Sequence, residues 1–123
     1  MAITGDLVFA GKTEEYQLAR TWLLDRLWPG LSPTAPRALP RDALLLVPGN
    51  HDVDHGEVDE VASMVQEGLL TKADQNRIAT VLGYPGQRAT LIKRHVAFLA
   101  FYGDWLGEAL ALPWWQRSIS ING

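Results

Sequence analysis

The sequence predicts an α/β fold built around a short βαβ unit. Residues 43–47 have the length and composition of a buried strand, residues 2–4 have those of the last few residues of another, and a glycine turn follows each of them. The stretch between them carries apolar residues at helical spacing, and Pro29-Gly30 is expected to end that helix. Strand, helix and strand in this order are typical of a parallel pair, for which we expect a right-handed crossover.

The composition is that of an ordinary globular domain, with 47% hydrophobic and 20% charged residues in a chain of 123. A net charge of −3 argues against nucleic acid as an electrostatically attracted partner. The chain has no cysteine, so a bound metal would need oxygen or imidazole ligands, and a reducing compartment is favoured. Since no apolar run approaches the roughly 20 residues of a membrane span, we expect a cytoplasmic protein that does not enter a membrane.

The helix of this unit is predicted to begin near Thr13, which can act as its N-cap. Glu14 and Glu15 would follow in the first turn, where the helix dipole favours negative charge. The predicted packing face consists of Ala19, Trp22, Leu23 and Leu27.

The second strand follows a loop at residues 31–42 that contains three prolines. Residues 43–47 are apolar without interruption, which predicts a strand buried on both faces of the sheet. In open α/β sheets, ligands bind beyond the carboxyl ends of the strands. Asp6 and Asn50 are both expected at that edge.

The second half of the chain is predicted to be helical from about residue 57 to 112. One helix would end at Gly68, with an apolar face formed by Val58, Val61, Ala62 and Val65. Thr71 with Asp74 resembles a capping box for the next helix. Tyr84-Pro85-Gly86 is predicted as a turn. From Leu91 to about Leu106 the pattern indicates a largely buried helix, on which His95 is a packed histidine.

The last residues predict the beginning of a further strand. Trp114-Trp115 is interpreted as a packing wedge, residues 117–121 alternate with period two, and Asn122-Gly123 is a hairpin signal. Because the first strand is very short and the hairpin lacks a second strand, we expect a fragment or a truncated gene product.

Two motifs carry the chemistry, Gly5-Asp6 followed by Gly11, and Gly49-Asn50-His51-Asp52. Their patterns, G-D-x-x-x-x-G and G-N-H-D/E, and their order resemble those of the calcineurin-like metallophosphoesterases. The resemblance covers about fifty residues. It implies part of a calcineurin-like phosphoesterase sandwich, with a metal-site βαβ half at 1–56, a helical insertion at 57–112, and the start of the next strand or hairpin at 113–123.

The resemblance also implies a role for each motif residue in phosphoester hydrolysis at two divalent ions, which could be manganese, iron or zinc. Asp6 would bridge the ions, Asn50 would bind one of them, and His51 would be the catalytic residue that assists the leaving oxygen. Asp52 would orient His51 or brace the turn. The glycines that would permit tight turns around the ions are Gly5, Gly11 and Gly49.

Other family motifs are absent, namely an upstream D-x-H and a downstream G-H-x-H. With only Asp6 and Asn50 matched, we expect weak metal binding and near-background activity from this chain alone. The acid-rich run at 52–60 is interpreted as a solvated surface, with Asp54, His55 and Glu57 as minor candidates for the site.

Two other functions remain open at this point. One is a degenerate phosphoesterase domain that serves as a binding or regulatory module, with the helical insertion and Trp114-Trp115 as a surface for a protein partner. The other is a gene remnant without function. The substrate of an active enzyme could be a nucleotide, a phosphoprotein, a nucleic acid or a lipid ester.

Overall fold

The computed structural model describes residues 1–31, 39–72 and 74–113, and these form a parallel two-stranded sheet with α-helices. This architecture agrees with the predicted α/β class. The elements in chain order are β1 (Ala2–Thr4), α1 (Thr13–Trp22), α2 (Trp28–Leu31), β2 (Leu45–Val47), α3 (Glu60–Lys72), α4 (Gln75–Gly83), α5 (Pro85–Ile92) and α6 (Val96–Leu106). A π-helical segment, Leu23–Leu27, joins α1 to α2, and 3₁₀ turns lie at Arg41–Ala43, His55–Glu57 and Lys93–His95.

The predicted parallel strand pair is confirmed. Ala2 pairs with Leu45 and Thr4 with Val47, so β1 and β2 end at the same edge of the sheet. The expectation that the second strand is buried on both faces is wrong. Leu46 belongs to the core, whereas Val47 is 54% exposed, and successive residues of a strand point to opposite faces of the sheet.

The helix after β1 differs from the prediction at both ends. Lys12 occupies the N-cap position and Thr13 is the first helical residue. At the other end the chain passes through the π-helical segment and stays helical to Leu31, so Pro29-Gly30 does not stop it. The predicted packing face is also partly wrong, since Leu23 is fully buried and Trp22 is 49% exposed. Adjacent helical residues point about 100° apart, so the core can enclose Leu23 while Trp22 stays half exposed.

The buried helix predicted from Leu91 to about Leu106 is confirmed for its second part by α6, Val96–Leu106. Its predicted start is wrong, because Leu91 belongs to α5 and His95 lies in the 3₁₀ turn before α6. Phe98, Tyr102 and Trp105 of α6 pack with Tyr16 of α1 and Leu44 before β2 in one hydrophobic core. The Tyr102 hydroxyl donates to the Leu44 carbonyl at 2.9 Å, so its polar end is satisfied inside the core. The last helix of the predicted insertion therefore shares its core with the βαβ unit.

Three predictions for the helical region are corrected. Helix α3 continues through Gly68 to Lys72, and Val61 on its predicted apolar face is 61% exposed. Asp74, not Thr71, caps α4, because its carboxylate accepts an amide of the first turn while the Thr71 hydroxyl bonds within α3. Pro85 is the first residue of α5, a position that proline favours, so the predicted turn is a helix start.

Several predictions lie outside the described residues. These are most of the proline-rich loop at 31–42, the Trp114-Trp115 wedge, the alternating strand at 117–121 and the Asn122-Gly123 hairpin. Among the helices that the structure describes, none is both long and apolar enough to span a bilayer.

Candidate functional site

The loops that follow β1 and β2 lie side by side, because parallel strands end at the same edge of the sheet. The loop after β1 begins with Gly5 at φ +95° and Asp6 at φ +55°. Aspartate is one of the few non-glycine residues that tolerate this left-handed region, where it still carries some backbone strain. The two residues turn the chain sharply and bring Asp6 toward the loop after β2.

Gly49 is the point at which the two loops touch. A Cβ atom at Gly49 would lie 2.8 Å from the Asp6 amide nitrogen and 2.9 Å from the Gly5 Cα, so a larger residue would force the loops apart. Asp6 Oδ1 accepts a hydrogen bond from the His51 amide at 3.3 Å, across 45 positions of sequence. The Asp6 carboxylate therefore lies against the peptide bond that joins Asn50 to His51.

Asp52 connects the same loops from inside and is only 2% exposed. Its Oδ1 accepts the Val8 amide at 3.0 Å and its Oδ2 accepts the Gly49 amide at 2.9 Å. Two roles were expected for Asp52, and these bonds correspond to bracing the turn. Both carboxylate oxygens accept main-chain amides, whereas the His51 ring is hydrogen-bonded to Phe9. Gly11, at φ +66°, packs on the same segment, where a Cβ would fall 2.6 Å from the Asp54 amide nitrogen.

The His51 ring is exposed, and its hydrogen bond and its stacking contact are both with Phe9. Its Nδ1 lies 2.8 Å from the Phe9 carbonyl oxygen, and the two rings stack with centroids 5.2 Å apart. A carbonyl oxygen can only accept, so Nδ1 carries the proton in this contact. In the neutral ring, Nε2 is then the atom that can take up a proton.

The Asp52 backbone is anchored by a buried tyrosine. The Tyr16 hydroxyl donates to the Asp52 carbonyl oxygen at 2.7 Å. Burial, with the nearby Asp52 and Glu15 carboxylates, raises the pKa of Tyr16 above its ordinary value, so the hydroxyl stays protonated as a donor. Glu15 itself accepts the amides of Ala10 and Lys12 through Oε2, which fixes the end of the Asp6 loop.

Two minor candidates from the acid-rich run also lie at these loops. His55 Nε2 is 3.0 Å from the Asn50 carbonyl oxygen, so His55 borders the second motif. Asp54 pairs with Lys12 at 2.7 Å, and this hydrogen bond lowers the pKa of Asp54 and raises that of Lys12. Glu57, the third candidate, pairs with Lys93 at 3.1 Å.

Sequence reasoning missed the roles of Phe9, Glu15, Tyr16 and Lys12. Glu15 alone carried a usable signal, because it lies three residues after the N-cap, the spacing at which a glutamate reaches back to the N-cap amide. The contacts of Phe9, Lys12 and Tyr16 join residues about forty positions apart and leave no local pattern. His95, predicted as a packed histidine, is half-buried, and burial beside Arg94 lowers its pKa.

Few potential metal ligands come together in the part of the chain that the structure describes. Within residues 1–31, 39–72 and 74–113, no group of three or more histidines, cysteines, aspartates and glutamates has the arrangement needed to hold a metal ion. In comparisons with protein families, with curated proteins and with solved structures, the chain matched none.

Proposed function

We propose that this chain carries part of the active site of a metal-dependent phosphohydrolase, a phosphatase or phosphodiesterase with two divalent ions. The observation that supports this most directly is the hydrogen bond from the His51 amide to Asp6 Oδ1 at 3.3 Å. It joins the two motifs at the edge of the sheet where ligands bind in α/β folds. The positive φ of Asp6 adds support, because strained residues are concentrated at functional sites.

The residues present suit the proposed ions in kind but are too few. A carboxylate at Asp6 and an amide oxygen at Asn50 are the hard oxygen ligands that manganese accepts, and both residues are exposed. Two ligands cannot complete a dinuclear site, and the described residues supply no larger group. Such a site needs further ligands from outside the described residues, and the chain alone is expected to bind manganese weakly.

Bound divalent ions would neutralise the phosphoryl oxygens and supply hydroxide near neutral pH. His51 would assist the leaving oxygen, because its ring is exposed and Nδ1 is engaged by the Phe9 carbonyl, which leaves Nε2 for proton exchange. Asp52 would act indirectly, since its two hydrogen bonds hold the loops of Asp6 and Asn50 at a fixed separation.

A second candidate is a binding or regulatory module that has lost hydrolysis. This candidate is favoured because the described residues contain no group of three or more potential metal ligands. The two functions differ in their dependence on metal, because a binding module would fold and retain its partner unchanged in a chelator. Partner binding abolished by chelation would exclude the module.

The experiment is a manganese titration followed by the electron paramagnetic resonance signal of free Mn²⁺. The chain should bind weakly, and Asp6→Asn, which keeps a residue tolerant of positive φ, should weaken binding about tenfold or more. Asn50→Ala should weaken it as well, whereas exposed Asp25→Asn should leave it unchanged. Equal binding by all four proteins would contradict the proposal. Hydrolysis of bis(4-nitrophenyl) phosphate should stay near background, and robust manganese-dependent turnover would show that no further ligands are needed.

A further inference from the structure

An open cleft beside Asp6 is lined by residues of α1, by Ile3 of β1 and by the loop that follows β1. Its volume is about 580 Å³, within the range of small-molecule sites. We call it the apolar cleft and define it by five large side chains, Ile3, Leu7, Phe9, Leu18 and Trp22. Asp6 forms part of the same wall, so the cleft and the candidate metal site share a residue.

Three of the five side chains that define the apolar cleft are exposed, whereas Ile3 and Leu7 are partly buried against the core. Phe9 is 77% exposed and Leu18 73% exposed, and Trp22 adds the third large surface. A contiguous apolar patch of this kind, bordered by polar groups, is typical of a binding site. Phe9 also stacks on His51, so the ring that lines the cleft contacts the proposed catalytic residue.

The charges of the cleft select the kind of group that can enter. The polar side chains in its lining include the carboxylates of Asp6 and Glu15, and none of the described lining residues is lysine, arginine or histidine. The carboxylates repel an anion in the absence of metal. The cleft therefore suits an uncharged planar group, for which the rings of Phe9 and Trp22 offer stacking surfaces.

We propose that the apolar cleft binds the uncharged aromatic alcohol portion of the phosphoester, with the phosphoryl group toward Asp6. This inference rests on the proposed function for its connection to catalysis, but binding in the cleft needs no metal. The substrate class is accordingly an ester of phosphate with an aromatic or nucleoside-like alcohol.

The test uses naphthalen-2-ol as a neutral probe in the presence of a chelator, followed by ¹⁵N–¹H correlation spectra of the chain. We expect saturable shifts at the amides of Phe9, Leu18 and Trp22. Naphthalene-2-carboxylate, a matched anion, should bind several-fold more weakly. Trp22→Ala should weaken binding of the alcohol about twofold to tenfold, the range expected for loss of one aromatic contact. Leu70→Ala, an exposed residue on α3, should have no effect.

Unchanged spectra would overturn the proposal. Equal binding of the alcohol and the carboxylate would also overturn it, as would an unaltered affinity in Trp22→Ala. Because the chelator is present throughout, these outcomes are independent of the manganese titration. Binding of naphthalen-2-ol without binding of manganese would support the cleft as a binding site and contradict the proposed hydrolase function.

Discussion

Replacement of Asp52 by asparagine is expected to destabilise the chain and to loosen the two motif loops. The carboxylate accepts the Val8 and Gly49 amides at 3.0 and 2.9 Å and is 2% exposed. An asparagine keeps one carbonyl oxygen for one of these amides and presents an NH₂ group to the other. One charge-assisted hydrogen bond is therefore lost, and a buried amide is left without an acceptor.

The size of the effect follows from that single bond. A hydrogen bond to a charged group contributes about 1.5–3 kcal/mol, so Asp52→Asn should lower the free energy of unfolding by roughly 2 kcal/mol. With a urea dependence of about 2 kcal/mol per molar, the midpoint of unfolding should fall by about 1 M. Asp52→Ala removes both bonds, and twice that loss is a large part of the 5–15 kcal/mol typical of a domain. Asparagine is for this reason the informative substitution.

Urea unfolding followed by circular dichroism measures this change, with exposed Asp25→Asn as the matched control. The control should stay within about 0.5 kcal/mol of the wild type. In the variant, the amide signals of Val8 and Gly49 should also exchange faster with solvent than in the control. A midpoint for Asp52→Asn equal to that of the control, with unchanged exchange at both amides, would refute the bracing role.

Three further changes test other contacts of the site. Tyr16→Phe leaves the buried Asp52 carbonyl without its donor and should cost about 1 kcal/mol in urea unfolding. Gly11→Ala should cost about 1–3 kcal/mol from its positive φ alone, and more from the contact with Val53 and Asp54, whereas Gly86→Ala in α5 meets nothing within 4 Å and should be neutral or stabilising by about 0.5 kcal/mol. The Lys12–Asp54 pair should make stability depend on pH at both extremes. The lowered pKa of Asp54 gives stability that is present above the ordinary value of 3.8 and is lost as pH falls through the folded value. The raised pKa of Lys12 gives stability that is present below the ordinary value of 10.5 and is lost as pH rises through the folded value. Urea midpoints across the pH range should change less in Asp54→Asn at both ends, and an unchanged profile would contradict the ion pair.

The parallel pair and its glycine turns could be predicted because their signals are local. Residues 2–4 and 43–47 are short apolar runs with a glycine soon after each, and the order strand, helix, strand leaves few alternatives. The course of the helix after β1 could not be predicted in the same way. Its π-helical segment changes the helical period at Leu23–Leu27, and Pro29 is tolerated near the start of α2.

The partners of the site residues were harder still to predict. Asp52 was expected to orient His51 or brace the turn, and nothing local distinguishes the two, because one of its partners is the Val8 amide 44 residues away. Likewise, Thr71 and Asp74 are both good capping residues, and the choice between them depends on where α3 ends. Local chemistry identifies residues that can act, and tertiary packing decides which contacts they make.

The most direct measurement is a map of manganese-induced line broadening over the amide signals of the chain. Mn²⁺ broadens signals within a limited distance, so it locates the ion without requiring activity. We expect the strongest broadening at Gly5, Asp6, Asn50 and His51 together, and its loss in Asp6→Asn. Broadening centred on the acid-rich run at 52–60, or broadening that persists in Asp6→Asn, would contradict a cation held between the two loops.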